Sequence, residues 1–185
     1  MPHKVCPWWL GYFLASPLRR LWQHPAQVLS PYIKPGMTVL EPGPGMGFFT
    51  LELARQVGAS GRIVVVDIQP RMLGSLRRRA ARAGVADRLD ARLVQAETMA
   101  LSDLAGAVDF VVAIAVVHEL PDARRFFREA AAVLKSGGEM LLVEPSGHVK
   151  AQEFDTELQA AGKAGLSVIE RPSIRRSQAA LLRKR

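Results

Sequence analysis

From residue 37 onward, short apolar runs alternate with amphipathic stretches, the pattern of a strand–helix repeat. Residues 37–41 read as a first buried strand, and 48–57 as the helix that follows it. Residues 62–67 form a β-branched run too apolar for a one-sided strand, which predicts a central, parallel one. Pro70 then opens a helix at its first turn and directs Met72, Leu73, Leu76 and Ala80 inward. Arg77, Arg78, Arg79 and Arg82 fall on its solvent side, and Gly84 stops it. Residues 88–95 give a third strand and 107–117 a fourth apolar run. After Pro121-Asp122 an amphipathic helix continues to Lys135, with Phe126, Phe127, Ala130 and Leu134 as its inward stripe. Lys135-Ser136-Gly137-Gly138 reads as a C-cap glycine turn leading into a fifth strand, 139–144. A helix over about 149–163 ends at Gly165. Two short strands, 166–171 and 178–182, close the chain around a turn holding Pro172 and Ser173.

Residues 1–35 do not follow this rhythm. Ser16-Pro17 is a helix start, serine as N-cap and proline at the first helical position. Leu18, Leu21 and Trp22 then share a face. Pro25 stops that helix and begins a short one through Val28 and Leu29, which Pro31 ends. Trp8, Trp9, Trp22, Tyr12 and Tyr32, all the tryptophans and tyrosines of the chain, lie here. Three roles fit: a helical flap on the core, a lid over an acceptor site, or an interfacial foot with aromatic anchors.

Composition narrows the class. A chain of 185 residues is most simply one domain with a real core. Hydrophobic content of 49% and charged content of 23% are those of a soluble globular protein. The net charge of +8 allows anionic partners such as nucleic acid or anionic lipid, although much of it is arginine on solvated helix faces. Cys6 is the single cysteine, so no intramolecular disulfide forms, and a reducing, cytoplasmic compartment fits. No apolar run is long enough for a transmembrane span. The opening imitates a signal peptide, but Cys6-Pro7 and Gly11 interrupt it and Arg19-Arg20 follow, which argues against that reading.

The chemistry concentrates at Glu41-Pro42-Gly43-Pro44-Gly45-Met46-Gly47-Phe48. Glycines at 43, 45 and 47 strip every Cβ from one rim of the turn, so a ligand can touch backbone there. The next helix aims its positive dipole end at the same place. The spacing is G-x-G-x-G, because Phe48 stands where a dinucleotide fingerprint needs its third glycine. Pro44 removes an N–H that a pyrophosphate would use. Glu41 suits a cationic or hydroxyl-bearing ligand better than a polyphosphate. Asp67 ends the second strand about 20 residues after the loop, where a carboxylate can hold a ribose diol.

An acidic residue followed by G-x-G-x-G after the first strand resembles motif I of the class I S-adenosylmethionine-dependent methyltransferases. Three further features are similar to that family: Ala96-Glu97 after the third strand, Asp109 opening the fourth, and Leu-Lys-x-Gly-Gly-x-x-x-x-x-Glu over 134–144. The resemblance covers 36 to about 183. It implies an α/β fold with a doubly wound, mostly parallel seven-stranded sheet and an antiparallel closing strand. It divides the chain into an N-terminal helical segment, 1–35, and a cofactor-binding domain, 36–185.

The resemblance also implies a site for S-adenosyl-L-methionine. Glu41, Gly43, Pro44, Gly45 and Gly47 would pack on the aminoacyl part, and Asp67 would hold the ribose. Ile68, Ala96 and Glu97 would frame the adenine, while Met72, Ala113 and Ile114 complete the cofactor contacts. The reaction implied is in-line displacement at the S-methyl carbon, for which positioning in a dry site matters most. His118, at a strand exit, is the candidate base, with Glu119 and Glu144 as alternatives. His118 as a packed histidine without proton transfer is the competing reading.

Residues 113–116, Ala-Ile-Ala-Val, carry no Asn-Pro-Pro-Tyr or Asp-Pro-Pro-Tyr, which disfavours exocyclic-amine methylation of nucleobases. No cysteine lies near the site, which disfavours covalent pyrimidine chemistry. His3 and Cys6 are too few for a metal site. A small-molecule or lipid-like acceptor is the leading expectation, with peripheral membrane contact possible. An RNA methyltransferase using the arginine faces and a non-catalytic cofactor-binding protein are the alternatives. A nicotinamide oxidoreductase is the weakest reading, because the glycine pattern is wrong.

Overall fold

The computed structural model describes residues 24–185. The helix expected at Ser16-Pro17 and the aromatic residues from Trp8 to Trp22 lie outside them. The described elements run α1 (Pro25–Leu29), β1 (Thr38–Pro42), α2 (Thr50–Val57), β2 (Arg62–Asp67), α3 (Pro70–Arg82), β3 (Leu89–Leu93), β4 (Val108–Ile114), α4 (Ala123–Val133), β5 (Leu134–Pro145), α5 (Ala151–Lys163), β6 (Leu166–Glu170) and β7 (Ser177–Lys184). One sheet holds all seven strands in the order β3-β2-β1-β4-β5-β7-β6. Within it β1, β2 and β3 pair parallel, as do β4 and β5, whereas β7 runs antiparallel to both β5 and β6. This is the doubly wound seven-stranded architecture that the strand–helix alternation and the family resemblance implied. Among the described residues no helix is long and apolar enough to cross a membrane.

By packing, the described chain divides into two compact units, 24–94 and 95–185. The first holds β1 to β3. Val39 and Leu40 on β1 and Ile63, Val64 and Val65 on β2 are wholly buried, so their apolar character on both faces is the mark of internal parallel strands. Leu53, Ala54 and Val57 of α2 and Met72, Leu73 and Leu76 of α3 are buried in the same unit. The expected basic face of α3 is only partly a solvated one. Arg77 and Arg82 are exposed, but Arg79 is half-buried and donates to the Met46 carbonyl, while Arg77 reaches the Ala91 carbonyl.

In the second unit Phe110, Phe127, Phe154, Leu134, Met140 and Leu141 are among the largest wholly buried side chains. Asp122 caps α4 by accepting from the Arg125 N–H at 3.0 Å. The glycine turn expected to cap this helix does something else. Leu134 is already extended (φ −63°, ψ 140°) and pairs with Val108, and the next matched pair is Phe110 with Glu139. Residues 135–138 therefore bulge out within β5, with Gly137 at φ 72°. Gly138 is crowded, since a Cβ there would stand 3.0 Å from the Lys135 carbonyl oxygen.

Other boundaries move by a residue or two. β1 is shifted one residue along, β3 is shorter than expected, and β7 is longer at both ends. The helix expected from Phe48 begins at Thr50. Gly45 (φ 54°) and Gly47 (φ 85°) are left-handed, so no right-handed turn can propagate until Gly47 is passed.

Candidate functional site

The glycine turn leaves β1 through Gly43, whose N–H donates to the Val66 carbonyl at 2.9 Å, and folds back at Pro44 to Gly47 (N–H to O, 3.0 Å). Its glycines have different reasons. A Cβ at Gly45 would meet nothing within 4 Å, whereas one at Gly47 would come within 2.3 Å of the Leu76 Cδ1. Gly47 thus lets α3 close on the loop, and Gly45 leaves bare backbone on an open side.

Glu41 lies beneath this turn, 5% exposed. Its Oε2 accepts a 2.6 Å hydrogen bond from the Thr50 hydroxyl at the start of α2. Burial raises its pKa to about 7, against the opposing effect of Thr50. A carboxyl poised near neutrality ionises readily when a cation approaches. Thr50 was missed in the sequence; the signal was a hydroxyl residue at the first helical position, nine residues from the strand's carboxylate.

Asp67 ends β2 and is 9% exposed. Its Oδ1 accepts from the Gln69 N–H at 2.8 Å, which bends the chain into Pro70 at the head of α3. The carboxylate therefore has a turn-forming role besides any ligand. Ile68 beside it is 37% exposed, a large apolar side chain left in the open at a strand tip. Met72 is 3% exposed and packs in the core of this unit. Bare backbone at Gly45, a near-neutral buried carboxyl, a strand-end carboxylate and an exposed isoleucine form a donor and packing set that fits a cationic amino-acid nucleoside.

The remaining cofactor candidates belong to the second unit. Ala96 and Glu97 form the exposed tip of a turn pinned by the Gln95–Thr98 bridge. Ala113 is buried within β4 and Ile114 ends it, half-buried. Ala115 follows in the left-handed region (φ 55°) with its N–H on the Val143 carbonyl at 2.8 Å. The small alanine bears this backbone with less clash than a branched residue.

That bend delivers His118 onto a short 3₁₀ turn, Val117–Glu119. Glu144, near the end of β5, is 0% exposed, and both its oxygens are taken. Oε1 accepts from the Val117 N–H at 2.8 Å, and Oε2 lies 2.5 Å from His118 Nδ1. Nδ1 is thereby the protonated nitrogen, which leaves Nε2 to accept in the neutral ring. The Glu119 carboxylate stands 4.0 Å from Nε2, and the His148 ring meets His118 edge-on with centroids 5.6 Å apart. The hydrogen bond to Glu144 raises the His118 pKa; burial opposes it, and the charges of Glu144, Glu119 and Glu157 add to the rise. His148 and Glu157 were not anticipated. Glu157 had a visible signal, a carboxylate on the buried stripe of its helix.

The family pattern described as "Methyltransferase domain" matches residues 33–174. This chain belongs to that family. The family agrees with the resemblance to class I S-adenosylmethionine-dependent methyltransferases read from the glycine turn. Two curated relatives are similar over two thirds of this chain. One is the ubiquinone/menaquinone biosynthesis C-methyltransferase UbiE of Hydrogenovibrio crunogenus, 31% identical over 127 residues, 69% of this chain and 49% of the relative. The other is the arsenite methyltransferase of Halobacterium salinarum, 30% identical over 125 residues, 68% of this chain and 30% of the relative. The chain spans half or less of the length of these relatives. A solved structure of a SAM-dependent methyltransferase from Aquifex aeolicus shares the fold, with a TM-score of 0.86, 22% identity, and 97% and 99% of the two chains covered.

Proposed function

We infer that this domain transfers a methyl group from S-adenosylmethionine to a small-molecule acceptor that loses a proton. The observation that carries the reading is the His118 imidazole tied through Nδ1 to the buried Glu144. In this reading Gly43, Pro44, Gly45 and Gly47 pack on the aminoacyl part and Glu41 faces its ammonium. Asp67 holds the ribose, and Ile68, Ala96 and Glu97 frame the adenine, with Met72, Ala113 and Ile114 behind. The bound cofactor supplies an electrophilic methyl on a sulfonium, itself a good leaving group. His118 Nε2 takes the acceptor's proton, and Glu144 fixes the tautomer and stabilises the imidazolium formed.

The names of the relatives support a small acceptor, since one methylates at carbon in quinone biosynthesis and another acts on arsenite. Residues 1–35 belong to this reading as the acceptor cover, and the single cysteine fits a cytoplasmic location.

RNA methylation is the second reading, favoured by the net charge of +8. Against it, Arg77 and Arg79 are spent on carbonyls of their own unit. The deciding experiment compares a panel of small protic acceptors with bulk RNA, using S-adenosylhomocysteine formation as the readout. Turnover of a small acceptor, insensitive to salt, is expected. Turnover confined to RNA with a steep salt dependence would overturn it.

A further inference from the structure

Phe154, Leu158 and Ala161 are the buried face of α5. Glu157, three residues after Phe154 and four before Ala161, falls on the same stripe. Its Oε2 is buried and has no hydrogen-bond partner among the described residues. It stands close enough to Glu144 and His118 to feel the charge of both. A carboxyl in such a place is a folding liability that a leucine would remove, and its Oε2 is open to a hydrogen bond from a ligand.

The protonation state narrows the partner. Burial first, and then the neighbouring charges of Glu144 and Glu153, raise the Glu157 pKa to about 8, with His118 opposing. At neutral pH the group is therefore mostly the acid, an O–H donor and a C=O acceptor together. Glu144 is already tied to the Val117 N–H and to His118, which leaves the Glu157 carboxyl to meet a ligand. An oxygen that can both give and receive a hydrogen bond meets these groups best.

We propose that Glu157 is an acceptor-binding residue, whose carboxyl on the inner stripe of α5 meets a hydroxyl of a small phenolic or enolic acceptor beside the His118–Glu144 pair. This rests on the small-acceptor reading above and names its substrate class. Hydroxylated rings carry an ionisable O–H for Nε2 and, in a vicinal arrangement, a second oxygen for Glu157.

The test uses the full chain, dihydroxybenzenes and hydroxyquinones as probes, and aryl amines as the contrasting set. Glu157→Gln keeps a donor and an acceptor, and Glu157→Leu keeps neither. With a dihydroxybenzene, Glu157→Gln is expected to hold KM within about 3-fold, and Glu157→Leu to raise it at least ~10-fold with kcat changed far less. Glu157→Leu is also expected to melt at the same or a higher temperature, because an unmet buried carboxyl is gone. Unchanged KM in Glu157→Leu, with a wild type that turns over the probe, would sink the Glu157 assignment alone. Turnover of amines but not of hydroxylated rings would overturn the substrate class. So would a wild type that neither turns over a hydroxylated probe nor is thermally shifted by one in saturating S-adenosylhomocysteine. A wild type that fails to bind S-adenosylhomocysteine would instead overturn the cofactor site beneath both readings.

Discussion

His118 Nδ1 and Glu144 Oε2 lie 2.5 Å apart, joining a turn after β4 to the far end of β5 across 26 residues of sequence. The bond raises the histidine pKa above its ordinary value of 6.5. Two opposite pH trends follow. The folding stability that this pair contributes is full below about 6.5 and is lost as pH rises through the higher folded-state value. Turnover, which in the proposed mechanism needs the neutral ring, is expected to rise over that same upper range. A kcat profile is expected to show its acid limb above 6.5. Glu144→Gln should move the limb down and lower the plateau at least ~10-fold by releasing the tautomer. A limb that stays in place would remove Glu144 from this role.

Glu41 makes a second pH prediction of different sign from a paired carboxylate. Its pKa is raised from 4.5 to about 7, so the native state keeps its proton longer than the unfolded chain does. Stability therefore declines as pH climbs from 4.5 to 7, by on the order of 3 kcal/mol at most. Glu157 adds a decline reaching to about 8. Urea midpoints across this range should show a shallower fall in Glu41→Gln than in wild type. Calorimetry of S-adenosylmethionine binding near pH 7, in buffers of differing ionisation heat, should show proton release that Glu41→Gln reduces.

The loop glycines separate fold from ligand. Gly47→Ala places a methyl 2.3 Å from Leu76 Cδ1 at φ 85°, and a loss of about 2–4 kcal/mol is expected from strain and overpacking. Gly45→Ala meets open space at φ 54° and should cost only about 1 kcal/mol. Its larger effect should be on S-adenosylhomocysteine affinity. Equal stability losses in the two variants would contradict this division.

Asp67→Ala should weaken S-adenosylmethionine binding at least ~10-fold by leaving a ribose hydroxyl unmet. Because Asp67 also accepts from Gln69, Asp67→Asn is the sharper test. It keeps an oxygen for the turn and loses the charge-assisted pair. Full stability with weakened binding is expected, and unchanged affinity in both variants would take Asp67 out of the site.

Much of this molecule was legible in its chain. The run 62–67 is β2 residue for residue, because a strand buried on both faces must be apolar through its interior, here Ile63 to Val66. The glycine spacing marked a turn with left-handed glycines, and the acids at 41 and 67 are buried beside it at strand ends, because left-handed turns admit few residue types. Local pattern misled at Gly137-Gly138, where the glycines serve a bulge inside β5. The difference lies in the pairing of Leu134 with Val108, a partner 26 residues away.

Tertiary structure alone decided the chemistry of the side chains. Thr50 on Glu41 and Glu144 on His118 are contacts between different elements, and the Oε2 of Glu157 is buried without a partner among the described residues. A carboxylate's protonation depends on what buries it and which charges surround it. Periodicity reveals which face of a helix turns inward. It does not reveal which polar atom of another strand waits there.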